Sequence, residues 1–343
     1  MQLWMPHRVL FEETALEYPL ARAIRERLKG KAEIGYIKSH NRISGLPGKT
    51  ARQKYAEAKR TLVVGLRRTL KFETSKPSAD YAIPLLTGCP GHCEYCYLQT
   101  TLGPRPAVRV YVNLDDIFNQ ARAYMREKAP ALTTFEGACT SDPLAVEHIS
   151  GVMREAVSFF GGEELGRFRF VSKYGYVESL LDVPHNGHTR IRFSINTDQV
   201  LKRWELGTHQ LAARVRAAAQ LAGAGYPIGF ILGPIFLEGD WQEAYQHLLA
   251  QIRTELADHG VDREHDMTFE LITHRFTPKA KALIQERFPE TELPMDPEDR
   301  RWKYGQFGYG KYVYPKDPME QAEDFFRSAL AEHFPGAEVP YFV

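Results

Sequence analysis

The sequence predicts an α/β protein: an open, partial (β/α)6 barrel of the TIM type, with a basic N-terminal helical region before it and a C-terminal β-hairpin after it. Three observations carry this expectation. Seven short β-type runs recur between residues 81 and 272. Helical stretches separate most of them, and such alternation argues for a parallel sheet with helices packed outside. The β/α units number about six, too few to close an eightfold barrel.

The elements follow in order. Leu16, Leu20, Ile24 and Leu28 have helical spacing over residues 13–29, ending at Gly30, and residues 50–60 read as a second, basic helix. The loop "SGLPGKT" between them is not a phosphate-binding loop. That motif needs a glycine where Ile43 stands and a preceding apolar strand. The β-type runs are Tyr81–Leu86, Val108–Val112, Thr133–Glu136, Phe168–Ser172, Arg190–Ile195, Ile228–Leu232 and Met267–Ile272. Helical spacing is clearest at Leu114–Lys128, Val146–Phe159, Thr208–Ala222 and Trp241–His259. We expect residues 1–77 to form the basic region, packed on a core of residues 78–343 that includes a hairpin at about 299–316.

Composition narrows the function classes. With 43% hydrophobic and 25% charged residues the chain is an ordinary globular one, and no apolar run approaches the roughly 18 residues of a membrane span. The start, "MQLWMPHRVLFEET", lacks the basic and apolar regions of a secretory signal, which predicts a cytoplasmic location. In a reducing compartment four cysteines suggest metal binding or catalysis rather than disulfides. The net charge of +1 hides an asymmetry: Arg22–Lys71 holds fifteen Lys or Arg against three acids. Such a block suits contact with a phosphate backbone.

Three of the four cysteines, Cys89, Cys93 and Cys96, stand at C-x3-C-x2-C spacing in "LLTGCPGHCEYCYLQT", directly after a predicted strand. Chemistry in such folds gathers in the loops after strand ends. Thiolates suit zinc and iron–sulfur clusters alike. A closed zinc site wants a fourth ligand, and His92 lies between two cysteines rather than at the usual spacing. A four-iron cluster on three cysteines keeps one iron open to a small molecule.

This motif resembles that of the radical S-adenosylmethionine superfamily, in which three such cysteines bind a [4Fe–4S] cluster and an aromatic residue, here Tyr95, precedes the last. The resemblance implies that S-adenosylmethionine chelates the open iron and is cleaved by one electron to a 5′-deoxyadenosyl radical. It also places cofactor contacts. Ser141 and Asp142 in "FEGACTSDP" would receive the methionine ammonium, although the segment departs from the common G-G-E form. Lys173 would pair with the carboxylate, and Ser194 and Asn196 would bind carboxylate or ribose. "GFILGPIFLE" resembles the strand that approaches adenine.

The combination of "GCPGHCEYCYLQTTLG", a cysteine in "EGACTSDPLAVEH", the basic arm and "RRWKYGQFGYGKYVYPK" resembles the spore photoproduct lyase family over most of the chain. What that resemblance implies is light-independent repair of 5-thyminyl-5,6-dihydrothymine in spore DNA. The adenosyl radical takes a hydrogen from C6 of the dihydrothymine, the methylene bridge fragments, and the thymine allyl radical takes a hydrogen atom from the residue matching Cys139. Tyrosines matching Tyr97 and Tyr95 return the hydrogen toward deoxyadenosine. The other expected partners are duplex DNA with the lesion flipped out and a flavodoxin- or ferredoxin-like one-electron donor. A monomer in the spore core of an endospore-forming bacterium is implied.

The late segment 299–316 carries charge and flat aromatic faces suited to gripping DNA, with Arg301, Tyr304 and Lys311 as the favoured contacts and Trp302, Phe307 and Tyr309 as further stacking faces. Two other readings stay open on the residues alone: another radical enzyme acting on nucleic acid or a small molecule, and a non-catalytic metal-dependent nucleic-acid-binding protein. The "GAG" at residues 223–225 lacks the third glycine of a dinucleotide fingerprint, since Ile228 stands there. His185 and His188 read as solvated loop histidines.

Overall fold

A computed structural model describes residues 3–43, 45, 47–103, 106–305, 308 and 310–343; Phe307 and Tyr309 therefore lie outside the described residues. The chain divides into two compact units, one of residues 1–91 and 101–190, the other of residues 92–100 and 191–343.

The first unit contains a five-stranded sheet in the order Glu33–Ile37, Arg8–Glu12, Thr61–Gly65, Val108–Tyr111, Leu86–Thr87. Its first four strands run parallel and the last antiparallel. Thr61–Gly65 is buried at every position, as a parallel strand covered on both faces should be. The two expected N-terminal helices are present. Pro19–Leu28 starts with proline in its first turn and buries Ala21, Ile24 and Leu28. Ala51–Lys59 is opened by a capping box between Thr50 and Gln53. The region also carries three strands that the periodicity does not announce: Arg8–Glu12 and Thr61–Gly65 are short buried runs without alternation, and Glu33–Ile37 is a short edge strand with no buried position.

The run Tyr81–Leu86 is divided between two sheets. Ala79–Ala82 pairs in parallel with Thr133–Glu136, whereas Leu86–Thr87 joins Val108–Tyr111. Pro84, which has no N–H for a ladder, stands at the break. Gly166–Ser172 continues the parallel set beyond Thr133–Glu136. Leu114–Lys128 is helical with the bounds expected, and the helix expected at 146–159 is two pieces, Glu147–Ser150 and Val152–Gly161, separated by Gly151 at φ 68°.

In the second unit, residues Ile191–Ile195 of the strand Thr189–Ile195 pair in parallel with Ile228–Ile235, which pairs in parallel with Met267–Thr273. Helices Leu211–Gly223, Trp241–Asp258 and Lys316–His333 belong to this unit, and Phe326 of the last packs against Trp241 and Tyr245. Residues 338–343 lie along Met267–Thr273, accepting from Phe269, Leu271 and Thr273 N–H, so that strand's outer edge is covered. The predicted hairpin is formed by Arg301–Tyr304 and Gly310–Val313. Among the described residues no helix is long and apolar enough to cross a membrane.

Candidate active site

In the first unit, Gly88 turns the chain out of its strand at φ +83°. Its N–H donates to the carbonyl of Thr140 at 2.7 Å and it bridges Ser141, so the approach to Cys89 is laid beside the segment holding Cys139, Ser141 and Asp142. The carbonyl of Cys89 accepts from the buried Lys59 ammonium at 2.9 Å, and its Sγ accepts the Gly91 N–H at 3.3 Å.

Cys139 follows the strand Thr133–Glu136 and is half-buried. Its Sγ lies 2.9 Å from the hydroxyl of Ser75. Ser75 is a site residue that sequence reasoning missed, since nothing local marks a serine sixty-four positions away. Gly137 lets the chain pass over Phe168, whose ring would lie 2.7 Å from a Cβ there. Glu136 accepts from Ser78 Oγ and Ala138 N–H and so fixes the turn on both sides.

Asp142 is buried, and its carboxylate accepts from Ser172 Oγ at 2.5 Å and Lys173 N–H at 2.8 Å. It therefore ties the end of its own loop to the end of the next strand, and holds the backbone from which the Lys173 side chain leaves. Ser141 is buried beside it and faces the carbonyl of Gly137 at 3.5 Å.

In the second unit the loop residues are held by a polar network. Cys93 is buried and pairs antiparallel with Glu205, while the Gln99 amide donates to the carbonyls of Cys93 and Glu94 and is itself gripped by Arg287. The Cys96 N–H donates to the Cys93 carbonyl at 3.3 Å. Tyr95 donates its hydroxyl to Glu205, whose other oxygen takes Arg214 at 2.7 Å. Burial and, next, the Glu205 charge push the Tyr95 phenol well above its usual range, so it stays protonated. Tyr97, by contrast, is 59% exposed. Glu205 and Arg214 are further residues the sequence did not single out.

Ser194 and Asn196 end the strand Thr189–Ile195 and its exit, and both are buried. The Asn196 amide donates to the Pro234 carbonyl at 2.7 Å and its oxygen accepts from Thr197 N–H and the Tyr245 hydroxyl. Ser194 faces the Gly233 carbonyl at 3.4 Å. Both thus brace Gly233–Pro234, where the neighbouring strand Ile228–Ile235 shifts register.

On the hairpin, Tyr304 is 74% exposed and Arg301 donates to the Tyr314 carbonyl. Lys303 stands directly across from Lys311, whose pKa is lowered by burial first and then by Arg275 and Lys303. Like charges paired across strands cost stability, and an anion would relieve them. The Trp302 indole lies over Gly310, where a Cβ would fall 1.9 Å from the ring.

All four cysteines are free thiols. Among the described residues no three His, Cys, Asp or Glu side chains converge on one ion position.

Residues 4–343 match the spore photoproduct lyase family. The chain is 49% identical over 343 residues to a spore photoproduct lyase of a Geobacillus species, covering 100% of both. It is 47% identical over 340 residues to that of Bacillus subtilis, covering 99% of this chain and 98% of the relative. A solved spore photoproduct lyase complexed with dinucleoside spore photoproduct superimposes with a TM-score of 0.97 at 48% identity over 100% of both chains. A variant with bound AdoMet and the same dinucleoside also gives 0.97 at 48% identity and full coverage. The expected TIM-type α/β fold is the one it shares with those structures. The chain belongs to the spore photoproduct lyase family.

Proposed function

We propose that this protein repairs spore DNA without light, cleaving 5-thyminyl-5,6-dihydrothymine to two thymines by radical chemistry. Full-length membership of the spore photoproduct lyase family carries the reading. The ligands recorded in the related structures, AdoMet and the dinucleoside lesion, are those we assign to this chain.

Cys89, Cys93 and Cys96 would hold a [4Fe–4S] cluster, a soft thiolate set suited to iron–sulfur chemistry. With S-adenosylmethionine bound, that cluster supplies the 5′-deoxyadenosyl radical that abstracts hydrogen from the lesion. The protein's own groups do the rest. Lys173, its backbone fixed by Asp142, pairs with the methionine carboxylate. Ser141 and Asp142 face the ammonium. Ser194 and Asn196, at the end of their strand, bind carboxylate or ribose, and Tyr95 packs over the cofactor.

Cys139 donates the hydrogen atom of its thiol to the product allyl radical: the S–H bond breaks, a C–H bond forms, and the sulfur keeps one unpaired electron. Ser75 orients that thiol. The solved variant with AdoMet replaces a serine and a cysteine at the same sequence separation as Ser75 and Cys139. Tyr97 gives the hydrogen of its hydroxyl to the Cys139 thiyl and Tyr95 gives its own to the Tyr97 radical so formed; 5′-deoxyadenosine would supply the last hydrogen to Tyr95, so that no unpaired electron stays on the protein. Arg301, Tyr304 and Lys311 grip the duplex while the lesion is flipped out. A flavodoxin- or ferredoxin-like protein delivers the electron, and the enzyme works as a monomer in the spore core.

Anaerobic reconstitution tests the cofactor assignment. The protein should take up about four irons and, once reduced, convert S-adenosylmethionine to 5′-deoxyadenosine with lesion present. A colourless protein holding one zinc would contradict it.

A further inference from the structure

Lys59 is one of the fifteen cations of the basic N-terminal stretch, yet it does not face solvent. It ends the helix Ala51–Lys59 and is 2% exposed. Its ammonium donates to the carbonyl oxygens of Cys89 at 2.9 Å and Gly91 at 2.5 Å, and lies 5.2 Å from the centre of the Tyr55 ring. Burying a charge is costly unless it is compensated. Two carbonyls, a ring face and the negative end of a helix dipole provide that compensation. A neutral donor would brace the same turn at less cost. What a lysine adds is a full positive charge beside the first cysteine of the loop.

We propose that Lys59 is an electrostatic positioning residue: it fixes the Cys89–Gly91 turn and raises the reduction potential of the cluster that Cys89 helps to hold. The proposal rests on the cluster assignment above. One-electron reduction adds a negative charge to the cluster, and a nearby cation in a poorly screened site stabilises that reduced form. Cluster potentials respond to local charge and to hydrogen bonds on the sulfurs. Lys59 acts on both. By gripping the Gly91 carbonyl it also steadies the Gly91 N–H that donates to Cys89 Sγ at 3.3 Å. This explains why a cation of the N-terminal stretch is withheld from the surface.

The test is a redox titration of the reconstituted full-length protein, followed by electron paramagnetic resonance, with iron content and melting temperature measured alongside. Lys59→Arg keeps the charge; Lys59→Gln keeps a donor without charge; Lys59→Met removes both. We expect the arginine variant to titrate near the parent. The glutamine and methionine variants should show at least a tenfold lower ratio of reduced to oxidised cluster at a fixed potential, about 59 mV for a one-electron couple. Parent-like potentials in iron-loaded Lys59→Gln and Lys59→Met would overturn the proposal. So would failure of Lys59→Gln and Lys59→Arg alike to fold or load iron, since Lys59 would then build the loop with no separable effect of charge. A parent protein without a four-iron cluster would instead overturn the cofactor assignment on which the proposal stands.

Discussion

A Cβ on Gly88 would lie 2.4 Å from the Ala107 carbonyl oxygen, and its φ of +83° disfavours any side chain. Gly88→Ala should therefore displace the start of the cysteine loop. We predict a loss of more than half of the iron taken up on reconstitution, measured per folded chain. Cys139→Ala should still break the lesion's methylene bridge, but the unquenched product radical should end as adducts with the reductant, visible by mass spectrometry; an unchanged product distribution would remove Cys139 from the mechanism. The residues of the loop are legible in sequence because their spacing is local. Ser75 beside Cys139, and Glu205 with Arg214 beneath Tyr95, are not, because only the fold brings such distant positions together.

At the scale of elements, the hairpin sets Lys311 across from Lys303. Lys311→Ala should weaken binding to lesion-containing duplex and lower the slope of log K against log salt by about 1, the signature of one lost phosphate contact. An unchanged slope would remove Lys311 from the DNA interface. The helix Val152–Gly161 supplies a pH test. Glu147 is buried and accepts the N–H groups of Met153 and Arg154 at that helix's start, and burial lifts its pKa from 4.5 to about 7. Because the folded state keeps a proton that the unfolded state releases, stability is full below about pH 4.5 and falls as pH rises to about 7. The loss is roughly 3 kcal/mol, and Glu147→Gln should flatten it in denaturant titrations across that range. Long periodic elements such as Leu114–Lys128 were readable from sequence to their ends, and so was the strand Thr133–Glu136. The strands Arg8–Glu12 and Thr61–Gly65 were not, since a short buried run carries no period, nor was the short edge strand Glu33–Ile37; Pro84 is the local sign that Tyr81–Leu86 divides between two sheets.

Across the whole molecule, charges are used inside as well as outside. Arg192 donates to both oxygens of Glu270 at 2.9 and 2.8 Å, and both side chains are fully buried. Arg192→Met should cost about 3–5 kcal/mol in denaturant unfolding, because it strands a buried carboxylate, whereas Arg192→Met with Glu270→Leu should recover much of that loss. The basic N-terminal stretch is similarly divided: Arg27 binds the Ile149 carbonyl, Arg68 pairs with the buried Glu12 and Lys59 turns to the cysteine loop, leaving fewer cations for DNA than the sequence count suggests. Repair of the lesion, with Cys89, Cys93 and Cys96 holding the radical-forming cluster and Cys139 quenching the product radical, is open to one direct assay. The reconstituted, reduced protein is incubated in the dark with S-adenosylmethionine and a spore-photoproduct dinucleotide, and the products are separated. The expected product is an unlinked thymine pair; persistence of the lesion while 5′-deoxyadenosine accumulates would rule out repair by this protein.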